Sequence, residues 1–203
     1  RQPETMDAIS ATIVRPIVIL VDTIITTLAF LIFIPALIFK VVTSGTRTLT
    51  KMEEFANFAL GLPLGGWIVT FAVGIAAPYA GPIRANFIKV SKEESIVEMT
   101  EWSWLRNPFS SIHACALSNV AEMCATLTGL CAMQAQKGVR IIPVAINSSY
   151  LKKARGTVRA TCKVELPKVS GKYEANVDIT NKQQVLVCQV KVVFDVKVEN
   201  KES

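Results

Sequence analysis

Two side chains of the kind that move protons near neutral pH stand close together in this chain: His113, its single histidine, and Glu122. Both lie in Asn107–Gln134, NPFSSIHACALSNVAEMCATLTGLCAMQ. In that stretch Cys115, Leu117, Val120, Cys124, Leu127, Leu130 and Cys131 recur at three- and four-residue intervals. Such spacing predicts a helix with one broad apolar face. Ala114, Ala116, Ala121, Ala125, Gly129 and Ala132 fill much of the remainder, so little of the rod is fully polar. One His and one Glu on an apolar helix is the feature around which the rest is read.

The elements that must hold this helix follow from the pattern on either side. Ile83–Val90 and Ser95–Thr100 are short alternating runs separated by the charged turn Ser91–Glu94. After a break containing Trp102 and Trp104 comes the helix, which Lys137-Gly138 should end as a C-terminal cap. Val139–Tyr150, Gly156–Leu166, Lys172–Thr180 and Gln183–Val198 then read as strands, with turns at Pro167–Gly171 and Asn181-Lys182. The last two alternate at Ala175, Val177, Ile179 and at Val185, Val187, Gln189. The order is strand, strand, long helix, four strands. It predicts an α+β domain in which an antiparallel sheet wraps one apolar helix.

The N-terminal part has a different composition. Apolar residues make up 51% of the 203-residue chain and the mean hydropathy is +0.39. Most of that excess precedes Tyr79. Pro16–Phe39 carries one charge, Asp22, and as a helix would be about 36 Å long, enough for a hydrocarbon core of about 30 Å. A retained transmembrane helix is expected there, with Lys40, Arg47 and Lys51 at its exit. Thr50 and Glu53 suit a capping box opening a short connector helix. Residues 60–80 are uncharged, but Pro63, Gly65-Gly66, Gly74 and Pro78 leave a helical core of only about 12 residues, shorter than a span. The expected organisation is therefore a membrane anchor and connector over 1–59 and a globular domain with a leading apolar helix over 60–203.

The net charge is +6 and the pI about 9.1, a balance suited to an anionic ligand or an acidic lipid surface. The longest basic run is Lys152-Lys153, with no aromatic-rich basic patch beside it, which argues against nucleic acid as a partner. Five cysteines without a C-x-x-C pair read as small buried hydrophobes in a reducing compartment. One histidine and no clustered thiols argue against a zinc site, and no cofactor is expected.

The element order is that of the hotdog fold. Asn107-Pro-Phe-Ser-Ser-Ile-His113-Ala114, Glu122, and Tyr150-Leu-Lys-Lys-Ala-Arg-Gly156 resemble the poorly characterised hotdog proteins similar to phenylacetate-pathway acyl-CoA thioesterases. The resemblance covers residues 66–198. It implies Glu122, nine residues after His113, as the general base or nucleophile on a thioester. It implies the backbone after His113, through the Ala114 N–H, as the group that polarises the thioester carbonyl, with Asn107 and His113 positioning the acyl group. A helix N-terminus, with unpaired N–H groups and partial positive charge, suits a developing oxyanion. Nine residues at about 100° each put His113 and Glu122 on opposite sides of a helix. Two subunits side by side can bring His113 of one to Glu122 of the other, and the resemblance implies such a dimer. The family pattern His-Gly-Gly is replaced here by His113-Ala114-Cys115, which adds bulk where the ligand would approach.

Alternatives stay open at each position. Glu122 is equally readable as a buried carboxylate satisfied by a hydroxyl or by Asn107, and His113 as a capping core histidine. Lys152, Lys153 and Arg155 suit coenzyme A phosphates or a solvated strand end. Two functions follow. One is a membrane-anchored acyl-CoA thioesterase working at a homodimer or hotdog-partner interface beside membrane lipid. The other is a non-catalytic accessory subunit of a mitochondrial inner-membrane respiratory or ATP synthase complex.

Overall fold

A computed structural model describes residues 52–135, 139–164 and 169–198, together with scattered helical positions between 16 and 31. The Thr50 cap, the Lys137-Gly138 helix end, the Pro167 turn and most of the Pro16–Phe39 run lie outside the described residues. Two short helices lead, α1 (Met52–Leu60) and α2 (Gly65–Ala76), then a 3-10 turn over Pro78–Ile83. Strands β1 (Asn86–Val90) and β2 (Glu94–Thr100) precede the long helix α3 (Ala114–Ala135). Strands β3 (Val139–Tyr150), β4 (Thr157–Lys163), β5 (Gly171–Asn181) and β6 (Leu186–Val198) follow it.

All six strands form one antiparallel sheet in the order β1-β2-β4-β5-β6-β3. The sheet bends around α3, and the apolar faces meet. Leu117, Val120, Cys124, Leu127 and Cys131 of the helix lie in one core with Val97, Met99, Val158, Ala160, Val177, Ile179, Val190, Val192 and Phe194 of the strands. Gly129 lets the helix come close to β3, because a Cβ there would stand 2.6 Å from the Ile141 side chain. This is the hotdog fold, with the expected succession of strands around one helix.

Three local expectations are corrected. The helix begins at Ala114 and not at Asn107; residues 107–113 form a loop, since Pro108 restrains the residue before it and lacks an N–H. Cys115, assigned to the apolar face, is exposed. It stands nine residues from buried Cys124, half a turn out of phase, as Glu122 does from His113. The inward face of the last strand is the even-numbered one from Cys188 to Val196; Val187 is buried beside Cys188, while Gln189, expected in phase with it, is exposed. Ile179 pairs with Cys188 but Thr180 with Leu186, so Val187 is an extra residue, and this bulge flips the alternation.

The leading helices belong to the core. Ala56 and Ala59 of α1 and Ile68 and Val69 of α2 are buried. The 12-residue length of α2 matches the short helical core expected between Leu60 and Ala80. The Gly65-Gly66 pair does not break this helix but lets it dock. A Cβ at Gly65 would run into the Ala59 carbonyl, and one at Gly66 into the Asn86 side chain and the Phe87 carbonyl oxygen, the latter at 2.6 Å. Among the described residues only the central helix is long and apolar enough to cross a membrane, and most of it is buried inside the fold.

Gly66→Ala is expected to destabilise the domain by about 1–3 kcal/mol, since backbone must move to admit the methyl group. Gly81→Ala, where a Cβ meets nothing within 4 Å, serves as the control. Urea unfolding followed by circular dichroism checks this; equal midpoints for the two variants would contradict the docking role of Gly66.

Candidate functional site

The loop before α3 is built by Asn107. Its Oδ1 accepts from the Phe109 N–H at 2.9 Å and from the Ser111 N–H at 3.3 Å. Its Nδ2 donates to Ser111 Oγ at 3.0 Å and to the Ile112 carbonyl at 3.4 Å. Its own main-chain N–H reaches the Ser111 carbonyl at 2.8 Å. An amide so engaged orders the turn, and the expected direct hold on an acyl group is not the use the loop makes of it. Glu122 takes no bond from it.

His113 closes the loop onto the helix. Its N–H donates to the Leu105 carbonyl at 2.7 Å, and its carbonyl accepts from Ala116 and Leu117, as at the start of any helix. The imidazole folds back so that Nδ1 accepts the Cys115 N–H at 3.1 Å. With Nδ1 an acceptor, the ring proton sits on Nε2, and the ring is exposed rather than part of the core. The capping expectation therefore holds for the bond, not for the burial. One first-turn donor is left over: the Ala114 N–H has no partner among the described residues.

Glu122 lies two and a half turns along, half-buried. Thr126 Oγ1, one turn further on, donates to its Oε1 at 2.7 Å. This fixes the carboxylate by one oxygen. Glu122 opens on a groove of about 550 Å³ lined by Tyr79, Cys115, Ser118, Asn119 and the β3 run Pro143–Ile146. Asn107, Ala114, Lys152 and Lys153 line a different groove of about 370 Å³, floored by Ile112, Leu117 and Leu151 with Phe109 at its lip. Arg155 is exposed and lines neither groove. Between the two, Ser118 Oγ shares hydrogen bonds with Ser148 Oγ at 2.8 Å and Tyr150 Oη at 2.7 Å, tying the helix to β3. Within one chain the base candidate and the oxyanion candidate therefore sit in separate grooves. Ala114 and Glu122, eight residues apart, differ by only about 80° round the helix, so it is the Ser118–Tyr150 contact and not opposite helix faces that divides the grooves.

The surroundings of Glu122 were partly legible. Cys115, Ser118, Asn119, Glu122 and Thr126 form a small and polar stripe at helical spacing, opposite the core face. Tyr79, 81% exposed, carries no such signal. It arrives through the packing of α2 and the turn after it. That turn is pinned by the Trp104 Nε1 bond to the Pro82 carbonyl at 3.0 Å, and the Arg84 guanidinium lies 4.4 Å from the Trp104 ring centre. Lys152 and Lys153 are exposed at a loop anchored by Leu151 and Lys152 N–H groups on the Val187 carbonyl. No group of three or more His, Cys, Asp or Glu side chains gathers among the described residues.

Residues 65–196 match the family model described as a domain of unknown function, DUF4442. The chain belongs to the DUF4442 family. No curated protein sequence matches it. Among solved structures, the genomics protein APC5556 is similar over 73% of this chain and 99% of its own, at 22% identity and a TM-score of 0.65. A Pseudomonas aeruginosa protein described as a probable thioesterase covers 68% of this chain and 97% of its own, at 13% identity and a TM-score of 0.57. A Staphylococcus aureus protein described as a thioesterase covers 60% and 99%, at 15% identity and a TM-score of 0.51. At these identities the likeness is one of fold, and it places this DUF4442 chain among hotdog structures.

The thiols give a direct check on this geometry. Burial disfavours the thiolate and pushes Cys131 and Cys162 up to about 12, Cys188 to about 11, and Cys124 well above the usual range. At pH 8 these four remain protonated and covered, whereas Cys115 is exposed at the Glu122 groove. A thiol reagent at pH 8 is expected to label Cys115 alone in the native protein and all five cysteines in denaturant, read by peptide mass spectrometry. Native labelling at Cys124 or Cys162 would contradict the core described above.

Proposed function

We propose that this DUF4442 protein is an acyl-CoA thioesterase whose site forms between two copies, with Glu122 of one facing Ala114 of the other. The observation that carries the reading is the partition of Glu122 and Ala114 into separate grooves on either side of the Ser118–Tyr150 contact. The open edge of β3 supports it. Among the described residues that strand pairs with β6 on one side only, and Ile142, Val144, Ile146 and Tyr150 stand exposed along it. An unpaired apolar edge of this length is a surface for a second strand.

In the proposed reaction Glu122 removes a proton from water as the water attacks the thioester carbonyl carbon. Thr126 holds one carboxylate oxygen and leaves the other for that proton. The negative charge that builds on the carbonyl oxygen is taken by the Ala114 N–H and the positive end of α3. When the tetrahedral adduct collapses, the carbon–sulfur bond breaks, and the proton held by Glu122 passes to the departing coenzyme A sulfur. Products are a carboxylic acid and free thiol. Lys152 and Lys153, beside Ala114, are suited to the coenzyme A phosphates.

Pro16–Phe39 is the proposed anchor that sets this site beside a bilayer. Its described apolar residues, among them Ile17, Ile19, Leu20, Ile24 and Leu31, are exposed. A helix with its apolar side chains uncovered suits lipid.

The test uses the full chain in phospholipid vesicles. It is expected to float with them in a density gradient and to release thiol from acyl-CoA. Glu122→Gln should lower kcat by about 10²–10⁴-fold through loss of the base. Ala114→Pro should cost about 10²–10³-fold, because it deletes the N–H at the helix position that best tolerates proline. Turnover unaffected by Glu122→Gln would sink the catalytic assignment; protein left at the bottom of the gradient would sink the anchor alone.

A further inference from the structure

We infer that Glu101 is a positioning residue that clamps together the two loops lining the Ala114 groove. The inference rests on that groove being half of the thioester site proposed above.

Glu101 follows β2, and its side chain is only 10% exposed. Each carboxylate oxygen is used. Oε1 accepts the Arg106 Nε–H at 2.8 Å, and Oε2 accepts the Gly156 N–H at 2.6 Å. The Glu101 N–H also donates to the Gly156 carbonyl at 2.8 Å, so the glycine is held at both polar groups. Gly156 adopts φ +68°, a conformation open to glycine, and this aims its N–H at the carboxylate.

The two donors stand at the roots of different loops. Arg106 forms an antiparallel bridge with Ile112, which encloses Asn107–Ser111 and delivers His113 and Ala114 to the helix start. Gly156 ends the segment that carries Lys152 and Lys153. The loops touch where the Ile112 N–H donates to the Ala154 carbonyl at 2.9 Å. One planar carboxylate, with its oxygens at fixed separation, therefore sets the distance between the segment bearing the oxyanion donor and the segment bearing the lysines. A carboxylate so covered needs a donor on each oxygen, and here each donor belongs to one loop. A misplacement of about 1 Å at a reacting group costs on the order of 100-fold in rate. The clamp is thus able to govern turnover without touching substrate.

The test has two readouts on the full chain. In the first, hydrogen exchange compares wild type with Glu101→Ala. Amides of both loops, Ile112 and His113 on one side and Gly156 on the other, are expected to exchange about tenfold faster or more, while α3 and β5 are unchanged. Faster exchange at Gly156 alone, or throughout the chain, would overturn the clamp. This readout stands whether or not the protein hydrolyses acyl-CoA, so an inactive wild type would refute the proposed function and leave the clamp decided.

In the second readout, Glu101→Gln keeps an acceptor for Gly156 but presents a donor to Arg106, and Arg106→Ala removes the same arm from the other end. In an active protein each is expected to lower kcat about tenfold with KM for acyl-CoA within about twofold, and the double variant should be no worse than either single one. Unchanged kcat in both, or losses that multiply in the double variant, would remove Glu101 from the site.

Discussion

The need to bury one face of α3 governs this molecule. A helix whose inward side is Leu117, Val120, Cys124, Leu127 and Cys131 is stable only under a sheet that bends over it, and six antiparallel strands supply that cover. The sheet stops at β3, so the cover stops there too. Beyond that edge lies the other stripe of the helix, Cys115, Ser118, Asn119, Glu122 and Thr126, with the unpaired side of β3 next to it. What one chain leaves open is thus a small polar helix face flanked by an apolar strand edge. Half-wrapping the helix creates both the core and the open face on which a second copy is proposed to fit.

The same constraint explains where chemistry is available. Burying a helix usually means satisfying its first N–H groups by caps. Here the imidazole of His113 caps the Cys115 N–H, two positions on, and the turn built by Asn107 stops short of Ala114. The donor nearest the dipole end is left facing a groove. At Glu122 the arrangement is complementary: one oxygen is held by Thr126 and the other faces open space. The Ala114 N–H and the Glu122 carboxylate open on two grooves divided by the Ser118–Tyr150 contact, and in the proposed dimer a two-fold axis along the open face would bring one to the other.

Much of the architecture could be read from residue spacing. The switch from three-and-four periodicity in α3 to alternation in β5 identified helix and strands, and their order identified the wrap. The errors are those that a one-dimensional pattern cannot avoid. Val187 is apolar whichever way the strand faces, so the bulge that shifts β6 by one residue leaves no mark in composition. Asn107–His113 contains no helix breaker except Pro108, which is tolerated in a first turn, so the helix read seven residues too long. Cysteine is usually a core residue, which hides the exposure of Cys115, although its distance of nine from Cys124 puts it outside the core face. The role of Glu101 depends on Gly156, 55 residues away, and no local pattern relates the two.

The central claim is that the site belongs to two chains and to neither alone, and subunit mixing tests it most directly. Glu122→Gln and Ala114→Pro would be unfolded together and refolded, so that copies pair at random. In a mixed dimer one site carries both lesions and the other carries neither. The account predicts that acyl-CoA hydrolysis, nearly absent from each variant alone, returns to about a quarter of the wild-type rate in the mixture. A mixture no more active than its components, from samples shown by mass to contain the mixed dimer, would contradict it.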